Sequence, residues 1–168
     1  MIDFKEHINN IHHFPIEGII YRDIQPILAD GFLFNSAIQE MGELIGEDNL
    51  PQYWVGIESR GFLFASALAQ EFGGGVRMIR KKGKLPNKKL ISVKYGLEYG
   101  KDELEMAHIP QHDFGTCVVV DDVYATGGTM EAGVNLCEMV GLEVVYKLTL
   151  VDIGIKKQHD VKSLIKYS

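Results

Sequence analysis

One stretch constrains the fold more than any other: Thr116 to Met130, TCVVVDDVYATGGTM. Val118, Val119 and Val120 form an apolar β-branched run that ends at two adjacent carboxylates, Asp121 and Asp122. A run of this kind, stopped by polar residues, predicts a buried strand of a parallel sheet. Ala125-Thr126-Gly127-Gly128-Thr129 follows, and then a helical pattern starts. A glycine-rich loop between such a strand and a helix N-terminus offers free backbone N–H groups and the positive end of the helix dipole, which suits a phosphate. Gly127 and Gly128 permit positive φ and close backbone approach, and Thr126 and Thr129 add hydroxyl donors. Asp121 and Asp122 would repel a phosphate, so they suit sugar hydroxyls or a divalent cation beside it. No Lys follows the glycines, as a Walker A loop requires, and the spacing is not G-x-G-x-x-G. The plain alternative is a strand-to-helix turn with acids near the helix start. The coincidence of two acids, two threonines and two glycines favours the ligand site.

The rest of the composition fits a chain that binds a small polyanion. A length of 168 residues suits one domain (1–168) with a sizeable core. A net charge of −6 argues against a general nucleic-acid binder. Yet Arg77, Arg80, Lys81, Lys82, Lys84, Lys88, Lys89 and Lys94 lie within 77–94 with no acid among them, eight of the 17 basic residues. A local basic segment in an acidic protein points to a polyanionic ligand, against the alternative of a solvated basic loop. Cys117 and Cys137 make no disulfide framework and are expected as buried thiols. No signal peptide, lipidation motif or transmembrane run is recognisable, which leaves no membrane partner and the cytoplasm as the expected location.

Along the chain, Ile2–His12 has a weak helical period, with His12 and His13 as helix-end residues rather than metal ligands. Phe14–Leu28, with Pro15, Gly18 and Pro26, reads as an ordered loop. Gly31–Gly46 reads as a helix with Phe34, Ile38, Met41 and Ile45 on one face. Tyr53–Ile57 is a strand, Glu58-Ser59-Arg60-Gly61 a polar turn, and Phe62–Phe72 a helix closed by Gly73-Gly74-Gly75. Val76–Ile79 is a third strand. Residues 80–105 form a long polar segment, expected as a β-ribbon at Leu90–Lys94 and Glu103–Met106 around a tip, a functional flap. Strand 116–121, helix 128–140 ended by Gly141, and strand Glu143–Val151 follow; the last 17 residues are ambiguous. This order predicts an α/β fold with a parallel twisted sheet flanked by helices. The Glu58–Gly61 turn, the basic segment and the Asp121–Thr129 loop should then open on the carboxyl edge of the sheet.

Five stretches, in order, carry a resemblance: FPIEGIIYRDI at 14–24, GIESRGF at 56–62, RKKGKLP at 80–86, LEYGKDELE at 97–105 and VVVDDVYATGGT at 118–129. They resemble the adenine members of the type I phosphoribosyltransferase family over most of residues 14–141. The resemblance implies a sheet with a flexible β-flap (80–105) and a small N-terminal hood (1–30) that binds the base. It implies transfer of a ribosyl phosphate from phosphoribosyl diphosphate (PRPP) to adenine, giving AMP and pyrophosphate for purine salvage, with Mg²⁺ held mainly through PRPP and possible contact to Asp121 and Asp122. In that picture Asp121 and Asp122 hold the ribose hydroxyls and Ala125, Thr126, Gly127, Gly128 and Thr129 take the 5′-phosphate. Arg60, Lys81 and Lys84 take the pyrophosphate, next to a cis peptide at Glu58–Ser59. Ile20, Tyr21, Arg22 and Val123 surround adenine, and Glu98 and Tyr99 sit at the flap tip, with Glu98 and Arg60 as the catalytic pair. The family also implies a homodimer.

Three positions depart from the family pattern: Glu17 in place of a second proline, Val123 in place of a larger leucine, and Lys94 with Gly96 before Leu97. Bland alternatives stand beside the assigned roles. Tyr21 could be a packing aromatic, Arg60 could pair with Glu58, and Glu98 could be a surface acid; Trp54 and Tyr124 read as structural. Rival functions are transfer to another purine such as xanthine, and a non-catalytic PRPP-sensing regulator. The latter would need a DNA-binding unit, for which the residues before Phe14 are too few.

Overall fold

Apolar residues on both faces of the central strands decide the layering. The computed structural model describes residues 2–86, 89–97, 100–156 and 159–167. A two-stranded antiparallel sheet of β1 (Asn9–His12) and β2 (Ile20–Asp23) precedes helices α1 (Gln25–Ala29) and α2 (Gly31–Ile45). The main sheet contains β3 (Tyr53–Ile57), β4 (Gly75–Lys81), β5 (Leu90–Leu97), β6 (Gly100–Ala107), β7 (Thr116–Tyr124), β8 (Glu143–Asp152) and β9 (Lys162–Lys166), in the order β5-β6-β4-β3-β7-β8-β9. Strands β4, β3, β7, β8 and β9 are parallel neighbours, while β5 and β6 form an antiparallel ribbon joined to β4 through β6. Helix α3 (Gly61–Phe72) links β3 to β4, and α4 (Gly128–Val140) links β7 to β8. This is the expected α/β architecture.

Alternation along the strands splits the core in two. Trp54, Val118, Val120, Leu148 and Leu150 pack with Met41 of α2 and with Phe64 and Leu68 of α3. Val55, Ile57, Cys117 and Val119 pack with Met130, Leu136 and Cys137 of α4. Trp54 is fully buried and its indole N–H donates to the Gly73 carbonyl at 2.9 Å, so it is structural as expected. Both cysteines are free and buried. Asp30 caps α2 by accepting from the Phe32 and Leu33 N–H groups, each at 2.9 Å. Gly141 ends α4 at φ 101°.

Four expectations are corrected, and the ambiguous tail is assigned. Ile2–His12 is a 3-10 turn at Phe4–His7 followed by β1, because cross-strand pairing of β1 with β2 outweighs a weak helical period. His12 therefore lies in a strand rather than at a helix end. Phe14–Leu28 is more than a loop, since it supplies β2 and the start of α1, whose first turn accommodates Pro26. Strand β7 runs past the two aspartates to Tyr124, held by β8 alongside it. The ambiguous tail contributes β9, which pairs parallel to β8 and buries Ile165, with Thr149 and Ser163 hydroxyls 2.8 Å apart.

Candidate active site

The turn after β3 is built around a buried carboxylate. Glu58 accepts from the Lys81 N–H at 2.8 Å, from Lys84 Nζ at 2.6 Å and from Arg80 Nε at 3.3 Å. Burial alone would push this carboxyl up, but these hydrogen bonds outweigh it and hold it at about 2. The Glu58–Ser59 peptide is cis, as the resemblance implied. Gly61 then starts α3 hard against β7: a Cβ there would fall 2.7 Å from the Val120 carbonyl and 3.2 Å from Asp121 Cα. Only glycine permits that approach, and it brings Arg60 to the aspartate pair.

Arg60 Nε lies 2.8 Å from Asp122 Oδ2, while its terminal nitrogen donates to the Tyr21 hydroxyl at 2.5 Å. The guanidinium carbon stands 5.3 Å from the Tyr21 ring centre. Arg60 thus pairs with Asp122 and not with Glu58, and it ties the β1–β2 segment to the main sheet. Although close, Arg60 does not aim an N–H at Asp122 Oδ2, and that buried oxygen accepts no hydrogen bond. Asp121 Oδ1 accepts from the Asp122 N–H at 2.9 Å. Burial, reinforced by the Asp122 charge, pushes the Asp121 carboxyl well above the usual range. Burial also raises Asp122, with Arg60 pulling against it.

Beyond the acids, Gly127 adopts φ 92° and caps α4 without a side-chain hydrogen bond, leaving the N–H groups of the first turn available. Ala125 and Thr129 are half-buried and Thr126 is exposed in this loop. The flap lies against it: a Cβ on Gly128 would meet the Gly96 carbonyl at 2.6 Å. On the ribbon, the Tyr95 hydroxyl donates to Asp102 Oδ2 at 3.4 Å and Lys81 Nζ lies 3.3 Å from the same oxygen.

Ser59, Arg60, Lys81, Tyr95, Asp122 and Thr129 thus help line one cleft of about 300 Å³, with Asp121 and Val123 on its floor. The turn, the basic segment and the glycine loop do open together at the carboxyl edge of the sheet. Lys84 sits on Glu58. Arg77 does not face the site: it is buried elsewhere and donates to the Ala107 carbonyl at 2.8 Å and to Asp113 at 3.0 Å. Ile20, Tyr21 and Arg22 lie together on β2, with Arg22 packed 4.0 Å from the Tyr167 ring centre. Glu98 and Tyr99 lie outside the described residues. Sequence reasoning missed Tyr95 and Asp102; the hairpin register that sets them opposite one another was the available signal.

A model of the phosphoribosyl transferase domain matches residues 36–168. Adenine phosphoribosyltransferase from Carboxydothermus hydrogenoformans is 42% identical, with 99% of this chain and 100% of the relative covered. The chain belongs to the adenine phosphoribosyltransferase family. Family membership makes it a transferase and agrees with the type I architecture of the sheet. The solved adenine phosphoribosyltransferase of Thermoanaerobacter pseudethanolicus superposes with a TM-score of 0.88 at 34% identity, over 98% of both chains. That from Giardia lamblia, complexed with 9-deazaadenine, gives 0.88 at 29% identity over 99% of this chain and 97% of that one. Among the described residues, no helix is long and apolar enough to cross a membrane.

Proposed function

We propose that this protein transfers the 5-phosphoribosyl group of PRPP to N9 of adenine, releasing AMP and pyrophosphate. The observation that carries the reading is the acid pair at the head of the glycine loop, which lines the same cleft as Arg60, Lys81 and Thr129. Ribose hydroxyls would donate to the carboxylates, and the N–H groups at the start of α4 would take the 5′-phosphate a few ångströms further on. Arg60 and Lys81, with the backbone of the Glu58–Ser59 turn, would take the pyrophosphate and stabilise charge growing on the leaving oxygens. Tyr21 and Val123 would hold adenine from two sides, with the β2 backbone at Ile20 and Arg22 reading its edge. Glu98, on the flap, would act on the proton lost from the base as the new bond forms.

Two protein carboxylates are too few to cage a metal, and no group of three or more candidate ligands gathers among the described residues. They fit Mg²⁺ arriving on PRPP, where substrate oxygens and water fill most of the coordination sphere. When bound, it would neutralise charge on the pyrophosphate. The ribbon, already lying on the glycine loop, would exclude water that could otherwise hydrolyse PRPP. The reading includes a cytoplasmic homodimer: Val76 and Met78, on one face of β4, leave apolar surface 41% and 48% exposed for a second copy.

The test is AMP formation from PRPP with adenine, hypoxanthine, guanine and xanthine side by side, with and without a chelator. Adenine should react far faster than the 6-oxo purines, because a site that pairs with the amino group leaves buried polar atoms mismatched by an oxo group. Equal rates with hypoxanthine or xanthine would overturn the base assignment, and undiminished rates in excess chelator would overturn the metal.

A further inference from the structure

Tyr124, the last residue of β7, has no part in the chemistry above. It is 3% exposed, and its ring lies 4.5 Å from that of His159, centre to centre. A Cβ built on Gly127 would fall 2.7 Å from the Tyr124 hydroxyl and 3.4 Å from Glu131 Oε1. The phenol oxygen therefore occupies the place of the missing side chain at the left-handed glycine that opens α4. Lys156 Nζ donates to Glu131 Oε1 at 2.7 Å, beside the Tyr124 hydroxyl that shares the Gly127 site with that carboxylate.

His159 and the residues that directly follow β8 are themselves fastened down. His159 Nε2 lies 3.0 Å from Asp152 Oδ2, and its Nδ1 accepts from the Val161 N–H at 3.2 Å, which places the proton of the neutral ring on Nε2. Asp152 Oδ1 accepts from the Gly154 N–H at 2.9 Å, and the Ile153 N–H donates to the Tyr124 carbonyl at 3.0 Å. None of these side chains lines the cleft. They brace the glycine loop from outside it.

A glycine-rich loop has many accessible backbone states, and ordering it on binding weakens affinity for whatever it binds. Glu131 adds a second problem. Its carboxylate in the first turn of α4 favours the helix dipole but repels an incoming phosphate dianion.

We propose that Tyr124 and Lys156 are positioning residues for the 5′-phosphate: Tyr124 holds Gly127 in its binding conformation, and Lys156 neutralises Glu131 beside it. The proposal rests on the reading of Ala125–Thr129 as the phosphate loop. It gives the β8–β9 connection a role in PRPP affinity and none in adenine binding.

The probes are ribose 5-phosphate and PRPP, titrated calorimetrically into the full chain, together with steady-state KM values for both substrates. Tyr124→Phe and Lys156→Met should each raise the Kd for ribose 5-phosphate and the KM for PRPP by roughly three- to tenfold through lost preorganisation and charge balance. The KM for adenine and the melting temperature should hold. Adding Glu131→Gln to Lys156→Met should restore much of the lost affinity, which a merely structural lysine would not allow. Variants that bind within about twofold of wild type, inside the usual scatter of surface changes, would overturn the proposal. So would a joint rise of both KM values with a fall in melting temperature. A wild-type protein that binds neither probe would overturn the reading of the loop itself, whereas wild-type binding with indifferent variants overturns only the bracing role.

Discussion

Asp121 is a carboxyl whose charged form the free protein would be more stable without. Its carboxyl is buried beside a second acid, and both burial and that neighbour raise its proton affinity above that of an exposed aspartate. An acid whose pKa is raised on folding stabilises the fold only while protonated, and that contribution is lost as pH rises. Above the ordinary aspartate range the carboxyl therefore opposes folding, whether the folded state takes up a proton or holds the charge. Asp121→Asn keeps an oxygen for the Asp122 N–H while removing the charge, so its melting temperature at about pH 7 should exceed that of wild type. Scanning calorimetry showing a fall would contradict this account of the pair. Glu58 behaves in the opposite sense. Its carboxyl is held at about 2 against an ordinary 4.5, so its contribution is complete above 4.5 and disappears as pH falls toward 2. Glu58→Gln should remove that part of the acid-unfolding slope, as followed by circular dichroism; an unchanged slope across that window would show that the Arg80, Lys81 and Lys84 contacts do not stabilise the fold. The acid pair and Arg60 were legible in the sequence because each residue type has few other uses at the end of a buried strand. The partner of Arg60 was not, since choosing Asp122 over Glu58 depends on how closely Gly61 lets α3 approach β7.

The ribbon of β5 and β6 is the element whose position the sequence showed most clearly, within the stretch expected as a flap. A long polar stretch in a compact α/β chain is seldom idle, and its register brings Tyr95 and Gly96 onto the glycine loop. Glu98, which follows β5 in sequence and lies outside the described residues, is the residue proposed above to act on the base. Glu98→Gln should lower kcat by about 10²–10⁴-fold if it takes the purine proton, while PRPP affinity stays near wild type. Steady-state kinetics with separate PRPP titrations decide this, and wild-type turnover would return Glu98 to the status of a surface acid. The first and last elements were the least legible. The first twelve residues show a weak helical period, yet β1 exists because β2 is there to pair with it. Strand β9 follows β8 through a connection with no helix among its described residues, so nothing in the usual strand–helix–strand rhythm announced it.

At the scale of the whole molecule, three polar loops from separate parts of the chain converge because parallel strands β3, β4 and β7 all end on one edge. A parallel sheet was predictable from the apolar strand runs alone, and so was the edge on which the site must lie. What periodicity could not give was the distribution of the basic segment. Arg80, Lys81 and Lys84 turn toward Glu58 and Asp102, but Arg77, further back along β4, is buried against Ala107, His112 and Asp113. Local charge is therefore a weaker guide than strand direction. The central claim is that this edge binds PRPP through the acid pair and the glycine loop, and calorimetric titration of PRPP and Mg²⁺ into wild type and Asp121→Asn/Asp122→Asn tests it most directly. Each charge-assisted hydrogen bond lost should remove about 1.5–3 kcal/mol, so the double variant should bind PRPP at least about a hundredfold more weakly. Equal affinity in the two proteins would contradict the assignment.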